Sequence, residues 1–312
     1  MKCQCKTNCI QEKKYVLKDI EELYHPCPDC STKKLKKAIP LKRQIKLSKI
    51  NKNYLKCETC GKRHMDIVMA HVLKVMIDEN QISPSASIRH VGVPLITPAI
   101  FLDKLPYLSE KSLVIITTFC DNETAIKIIE EVPEIKAIIK GDTKITIGKL
   151  NENESVTNYE LLGGCDIRCD IQYTDLGPIL IYKNQSKVHI EYPKEKSPKI
   201  QQLSEVLDKY DNPTVLDAMC GPGTLGIYAL MKNAKKVVFN DIYDEAVESL
   251  KINLEINQIN ENAYEILNEN LLNLQDVLDE KFDIGIIDTF PDNDTSVYME
   301  YLKELCDDII II

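Results

Sequence analysis

Apolar residues in this chain recur with two periods, and the switches between them mark out its elements. In "HMDIVMAHVLKVMIDEN", Met65, Val68, Val72, Val75 and Met76 fall at helical spacing, which predicts a helix over residues 65 to 78. The stretch "SLVIITTFCDNETAIKIIEEVPEIKAIIKGD" then alternates strand (112–119), helix (122–131) and strand (135–140). From there to Tyr192, short runs rich in Ile, Val, Thr and Tyr predict a small sheet. Beyond the linker-like "YPKEKSPKI", helices at 199–210 and 223–232 bracket the strand "TVLDAM". Strand "KVVFND", helix "DEAVESLKINLEIN", strands "YEILNEN" and "FDIGIIDTF", a helix near 295–306 and strand "DDIIII" follow. Apolar strands alternating with amphipathic helices predict a parallel sheet covered on both faces. The chain divides into a cysteine-rich module with its helix (1–80), a middle α/β domain (81–193) whose role no motif discloses, and a third α/β domain (194–312).

Composition adds class and compartment. With 312 residues, 44% apolar and 28% charged, the chain has room for two or three domains of soluble globular type. No apolar run approaches the roughly 20 residues of a membrane span. The N-terminal "MKCQCKTNCIQEKK" has no apolar centre of the kind a secretory signal needs. A cytoplasmic protein is expected, its twelve cysteines serving as thiols or metal ligands before disulfides. The net charge of −9 hides a division: residues 31–63 hold twelve Lys or Arg against Glu58 alone, and residues 201–312 hold 7 against 23 Asp or Glu. A basic module suits a polyanion such as RNA, and a lysine-rich solvated face accounts for the same numbers equally well.

The densest chemical signal is "PTVLDAMCGPGTLGIYAL", where Gly221, Gly223 and Gly226 spell G-x-G-x-x-G behind a strand. Such glycines let the backbone turn tightly and approach a ligand at a helix N-terminus. Asp217, four residues ahead of the first glycine, would repel a dinucleotide pyrophosphate. It suits a ligand that carries positive charge at that point, such as the α-ammonium of S-adenosylmethionine. Cys220 reads as a small residue that fits the loop.

On these residues the third domain resembles the class I S-adenosylmethionine-dependent methyltransferases. "VLDAMCGPG" matches their first motif, and "VVFNDIYDEAV" carries the second acid, Asp241, at the end of the next strand. The resemblance implies that Asp217, Gly221 and Gly223 hold the donor and that Asp241 grips both ribose hydroxyls. Asn270 in "ILNENL" is the nearest match to the residue that meets the adenine, where aspartate is more usual. The fourth motif is Asp288-Thr289-Phe290-Pro291. It makes Asp288 the group that orients an acceptor amine and removes its proton, with Phe290 available to stack on a flat ring. A helix cap or structural hydrogen bond for Asp288, and core packing for Phe290, stand beside those roles. The resemblance covers residues 196–312 and is finest toward archaeal-type tRNA guanine methyltransferases. It departs from them twice: the fourth motif is usually Asp-Pro-Pro-Phe, and the family adds an antiparallel hairpin after the fifth strand. Without that hairpin one sheet edge is open, to be covered by the middle domain or by a second copy of the chain.

"HPCPDCSTK" and "LKCETCGKRH" bring Cys27, Cys30, Cys57 and Cys60 into two C-x-x-C knuckles 26 residues apart. That spacing fits one structural zinc, closed by four thiolates, with Gly61 in the turn of the second knuckle. A redox dithiol competes, without the βαβ neighbourhood it would need. Cys3, Cys5 and Cys9 form a further cluster that, with His25, reads as a second metal site or as free thiols on a loose terminus. His64 and His71 are seven apart and read as surface or packing residues. Cys165 and Cys169 are expected on one strand face, with Asp166, Arg168 and Asp170 around the other, either as a substrate-facing patch or as a solvated charged face.

The fold class expected is therefore α/β: a Rossmann-like class I methyltransferase domain with a shortened C-terminal end, preceded by a small α/β domain and a zinc ribbon. Three functions fit it. One is a methyltransferase for RNA, with a guanine amine of tRNA as acceptor. Another is a methyltransferase for a small molecule or a protein. The third is a scaffold that binds the donor without catalysis.

Overall fold

The computed structural model describes residues 8–142, 159–289 and 294–312. Cys3, Cys5, Phe290 and Pro291 lie outside the described residues. The first half runs β1 (Arg63–His64), α1 (Met65–Asp78), β2 (Val93–Ile96), β3 (Tyr107–Leu108), β4 (Leu113–Thr117), α2 (Asn122–Glu131), β5 (Ile135–Lys140), β6 (Glu160–Gly164), β7 (Ile167–Gln172) and β8 (Ile179–Asn184). The second half runs α3 (Pro198–Leu207), β9 (Thr214–Asp217), α4 (Thr224–Lys232), β10 (Lys236–Asn240), α5 (Asp244–Ile256), β11 (Tyr264–Leu267), β12 (Phe282–Ile287), α6 (Ser296–Leu305) and β13 (Cys306–Ile311).

Among the described residues the strands form four sheets, one of them the short antiparallel pair β1-β3. β2-β4-β5-β6 form a mixed sheet in which only β4 and β5 run parallel. β7 and β8 pair as a separate antiparallel hairpin. The C-terminal sheet is wholly parallel in the order β11-β10-β9-β12-β13. Its three inner strands, β10, β9 and β12, are mostly buried, as parallel strands under helices must be, while the edge strands β11 and β13 are largely half-buried or exposed. Among the described residues β13 pairs with β12 and with no further strand. The Gln202 amide donates to the Ile311 carbonyl at 2.9 Å there, so α3 partly dresses that edge.

The predicted helix over 65–78 forms with those bounds. The His64 ring accepts from the Asp66 N–H at 3.1 Å and caps it, and almost every side chain it carries is buried. It lies inside a hydrophobic core that runs from Val16, Leu41 and Ile50 through Leu73 and Met76 to Leu113 and Ile135. The cysteine-rich module and the middle sheet therefore share one core. A buried ion pair ties them further: Arg63, from the second knuckle, donates Nε–H to Glu134 at 2.7 Å and reaches it with a second arm. Its Nη1 also donates to the Asn51 carbonyl at 3.0 Å. Removing one partner of such a pair costs about 3–5 kcal/mol. His64 and His71 are both buried, the latter beside Arg63, so they are packing residues rather than surface ones.

The strand at 167–172 corrects an expectation. Cys165 and Cys169 do face the core, yet the alternate charged positions are not solvated. Asp166 accepts from Ser186 N–H and Asn184 Nδ2, at 2.7 and 2.8 Å. Arg168 is buried against Asp170, Gln185 and the Ile96 carbonyl. The linker after β8 folds back over that face and supplies its partners, so no open charged patch remains. Cys9 sits beside the Cys165 thiol, and His25 is exposed near Glu22.

β8 joins the two halves. Leu180 and Tyr182 belong to the N-terminal core, while Ile179 and Ile181 belong to the C-terminal one. Strict alternation along one strand thus gives each core its own face.

Candidate functional site

In a parallel sheet every strand ends on the same rim, and here the order reverses between β9 and β12. That crevice is where open α/β sheets bind ligands. Asp217 closes β9, facing Phe239 of β10 and Ile286 of β12 in register. Asp241 and Asp288 each follow those partners by two residues, so three carboxylates converge on the reversal.

Asp217 is 1% exposed. One of its oxygens accepts the Gly226 N–H at 2.9 Å, and the other, Oδ1, is buried with no hydrogen-bond partner. Burial pushes its carboxyl up to about 8; the Gly226 N–H opposes the rise, and the charges of Asp288 and Asp241 add to it. The bend that follows needs its glycines. Gly221 and Gly223 hold φ of 52° and 95°, in the left-handed region. A Cβ on Gly226 would stand 2.2 Å from the Phe239 ring, so this third glycine is what lets α4 lie against β10.

Asp241 is 8% exposed and accepts twice: from Gly221 N–H at 2.8 Å and Tyr243 N–H at 2.9 Å. It thereby fixes the bend from the neighbouring strand. Burial raises its carboxyl, and those two amides restrain the rise. Ile242 beside it is 54% exposed, an apolar side chain left on the rim. Asn270 caps the turn Leu271–Asn273 by accepting from Leu272 N–H at 3.0 Å, and so stands at the end of β11 in an exposed position.

Asp288 receives both arms of a close ion pair: Lys199 Nζ lies 2.7 Å from each of its oxygens. Burial raises the Asp288 carboxyl, and Lys199 pulls it back. Cys220 is buried in the bend, its thiol well above the usual range.

Sequence reasoning missed four polar residues here. Lys199 follows the Ser197-Pro198 helix start and carries no local signal of its partner 89 residues away. Asn240 bridges three strand ends, donating to the Ala218 and Glu269 carbonyls at 3.1 Å each and accepting from Glu269 N–H. Asn253 lies on the inner side of α5, where a polar residue among Val247, Leu250 and Leu254 was the available cue, and Asn257 follows one turn later as the residue that ends the helix.

The second constellation is the cysteine tetrad. The sulfurs of Cys27, Cys30, Cys57 and Cys60 lie within 4.8 Å of one another. Separations of 3.7 Å (Cys27–Cys30) and 3.4 Å (Cys27–Cys57 and Cys30–Cys60) compare with the edge of about 3.8 Å that four Zn–S bonds of roughly 2.3 Å require. Gly61, at φ 73°, makes the turn of the second knuckle and donates to the Cys57 carbonyl at 2.9 Å. The donor set therefore suits a tetrahedral ion closed on all sides. Among the described residues no other group of His, Cys, Asp and Glu is near enough to hold a metal.

Residues 199–288 match a family model described as ribosomal protein L11 methyltransferase (PrmA). A curated ribosomal protein L11 methyltransferase from Anoxybacillus flavithermus is 36% identical over 85 residues, 27% of this chain and 25% of its own length. Among solved structures, the tRNA m1G37 methyltransferase of M. jannaschii is 18% identical, with 62% of this chain and 56% of that one covered at a TM-score of 0.40. Trm5b from Pyrococcus abyssi is 17% identical over 66% of each chain, at a TM-score of 0.39. The chain thus spans about a quarter of the curated relative. The C-terminal domain has the Rossmann-like class I methyltransferase fold, its five parallel strands in the order that fold requires. Among the described residues no helix is long and apolar enough to cross a membrane.

The buried acid has a measurable signature. Because folding lifts the Asp217 carboxyl from its ordinary 3.8 to about 8, the folded state binds that proton more tightly than the unfolded chain. Its contribution to stability is present below pH 4 and is lost as pH rises toward 8. Asp217→Asn should raise the melting temperature at pH 8 and do so much less at pH 4, as followed by calorimetry. An equal gain at both pH values would contradict a charge buried without a partner.

Proposed function

We propose that this chain is an S-adenosylmethionine-dependent methyltransferase that acts on RNA, with a guanine amine of tRNA as the acceptor. The observation that carries the donor assignment is the unpartnered Oδ1 of Asp217, interred beside a left-handed glycine bend. Leaving a buried acceptor unpaired costs about 1–3 kcal/mol, which a cationic ligand at that point would offset.

When bound, S-adenosylmethionine supplies a methyl group on a sulfonium, and in-line displacement makes positioning the main source of rate. Asp217 would take the α-ammonium. Asp241, after accepting two backbone amides, keeps a lone pair on each oxygen for ribose hydroxyls. Ile242 offers an apolar face to the purine, and Asn270 its amide N–H groups. Asp288 would accept an N–H of the acceptor amine and later its proton. Lys199 favours the ionised carboxylate that this role needs.

The RNA assignment leans on the basic module. Lys33, Lys34, Lys36, Lys37, Lys42 and Lys46 are exposed, whereas Arg63 is committed to Glu134 and unavailable to phosphate. A second reading, protein methylation, is favoured by the family model, whose description names a ribosomal protein as the substrate of its members. The tetrad is assigned a structural Zn2+ held by Cys27, Cys30, Cys57 and Cys60. An open edge at β13 leaves room for a second copy of the chain.

Calorimetry with S-adenosylhomocysteine should detect binding that falls about a hundredfold or more in Asp241→Ala, the order expected for two hydrogen bonds to a charged group. Incubating the protein and methyl-labelled donor with fractionated cell extract should place label in tRNA. Label confined to protein would select the second reading, and binding without any label would leave a scaffold. Reversing Lys33, Lys34, Lys36 and Lys37 to Glu should abolish salt-dependent tRNA binding while S-adenosylhomocysteine binding persists; unchanged tRNA affinity would remove the basic module from the proposal. Purified protein should carry one zinc per chain by elemental analysis, and Cys57→Ser should lose it. A zinc-free parent that melts at the same temperature as the zinc-supplemented protein would rule the ion out.

A further inference from the structure

Among the described residues no strand pairs with the edge of β8 that faces away from β7. Two side chains, Asn253 of α5 and Asn257 at its C-terminal cap, stand in for one. Asn257 accepts from Leu180 N–H at 3.0 Å and donates to the Leu180 carbonyl at 2.7 Å. Asn253 accepts from Tyr182 N–H at 2.7 Å and donates to the Tyr182 carbonyl at 3.2 Å. The match is metric: four helical residues advance about 6.0 Å, and two strand residues about 6.6 Å. Each carboxamide therefore satisfies one residue of the strand edge, and the two asparagines together act as a two-rung ladder.

The two amides differ in where their remaining N–H goes. Asn257 spends it on its own helix, on the Asn253 carbonyl at 2.8 Å. Asn253 donates it to the Pro222 carbonyl at 2.9 Å, in the middle of the glycine bend. Asn253 is completely buried, and Pro222 lies between the two left-handed glycines. A single amide thus touches the middle domain's strand and the loop between β9 and α4.

We propose that Asn253 couples the docking of the β7–β8 hairpin to the conformation of the glycine bend, which makes it a positioning residue for donor binding. The donor half of this statement rests on the function proposed above; the coupling to the bend does not. When the hairpin is seated, the carboxamide is held by Tyr182 and its free N–H is aimed at Pro222. When the hairpin lifts, that orientation is lost and the bend loses the restraint on its central carbonyl. Anything that presses on the hairpin from the middle domain would then change donor affinity without touching the donor.

The neighbouring asparagine supplies the control, because Asn257→Ala also removes two bonds to β8 yet leaves Pro222 alone. Full-length parent, Asn253→Ala, Asn253→Asp and Asn257→Ala would be compared by hydrogen exchange of residues 218–226 without ligand, and by calorimetry with S-adenosylhomocysteine. Asn253→Asp keeps the acceptor for Tyr182 N–H and loses both donors, so it serves where the alanine variant does not fold. Both Asn253 variants should exchange the bend amides about tenfold faster and bind S-adenosylhomocysteine about tenfold more weakly, the loss of one buried hydrogen bond. Asn257→Ala should lower the melting temperature comparably and leave both readings at the parent's values. Equal effects from the two positions, or unchanged exchange in the Asn253 variants, would overturn the coupling. A parent that does not bind S-adenosylhomocysteine would defeat the donor reading, while the exchange comparison would still decide the coupling.

Discussion

Two hydrophobic cores meet on one strand. β8 gives Leu180 and Tyr182 to one and Ile179 and Ile181 to the other, so neither core closes without it. A strand buried on both faces must still satisfy its backbone. β7 serves one edge, and the carboxamides of Asn253 and Asn257 serve the other. Apolar side chains in their place would leave two N–H and two C=O groups buried and unpaired. The contact between the halves is therefore specified by hydrogen bonds as well as by area, which fixes one register of α5 against the hairpin.

The rim of the parallel sheet is governed by the opposite problem, an excess of buried negative charge. Asp217, Asp241 and Asp288 gather at the strand reversal, and each is treated differently. Asp241 is answered by backbone amides, Asp288 by a lysine, and Asp217 by one amide only. The result is a graded set: an oxygen with no donor, a carboxylate fixed to the bend, and a carboxylate paired with a cation. Such unequal environments are how neighbouring acids take different duties.

Much of this was legible in the sequence, and the boundary of legibility is physical. The helix at 65–78, the alternation of strand and helix beyond residue 198 and the glycine bend are local patterns, and the structure has them at those positions. The three acids are at strand ends because an apolar run followed by Asp reads that way locally. What periodicity leaves out is the identity of the cover. Alternation correctly separated Cys169 from Arg168 and Asp170, yet it could not say that residues 185–191 fold over the charged side. It separated residues 1–80 from 81–193, and long-range packing from Val16 to Ile135 puts them in one core. Lys199 and Asn253 were missed for the same reason, since their partners lie 89 and 71 residues away.

The ion pair at the fourth motif bears on what the smallest working unit of this protein would be. Lys199 belongs to the first turn of α3, just past the Ser197 cap, and all of β9 to β13 lies beyond it. A fragment trimmed to the strands and the helices between them would keep the sheet order and the bend. It would also expose Asp288 as a bare carboxylate, and its rim would carry one more uncompensated negative charge than the intact chain does. A working unit therefore reaches back past the Ser197 cap, and as far as β8, whose Ile179 and Ile181 belong to the core of the parallel sheet.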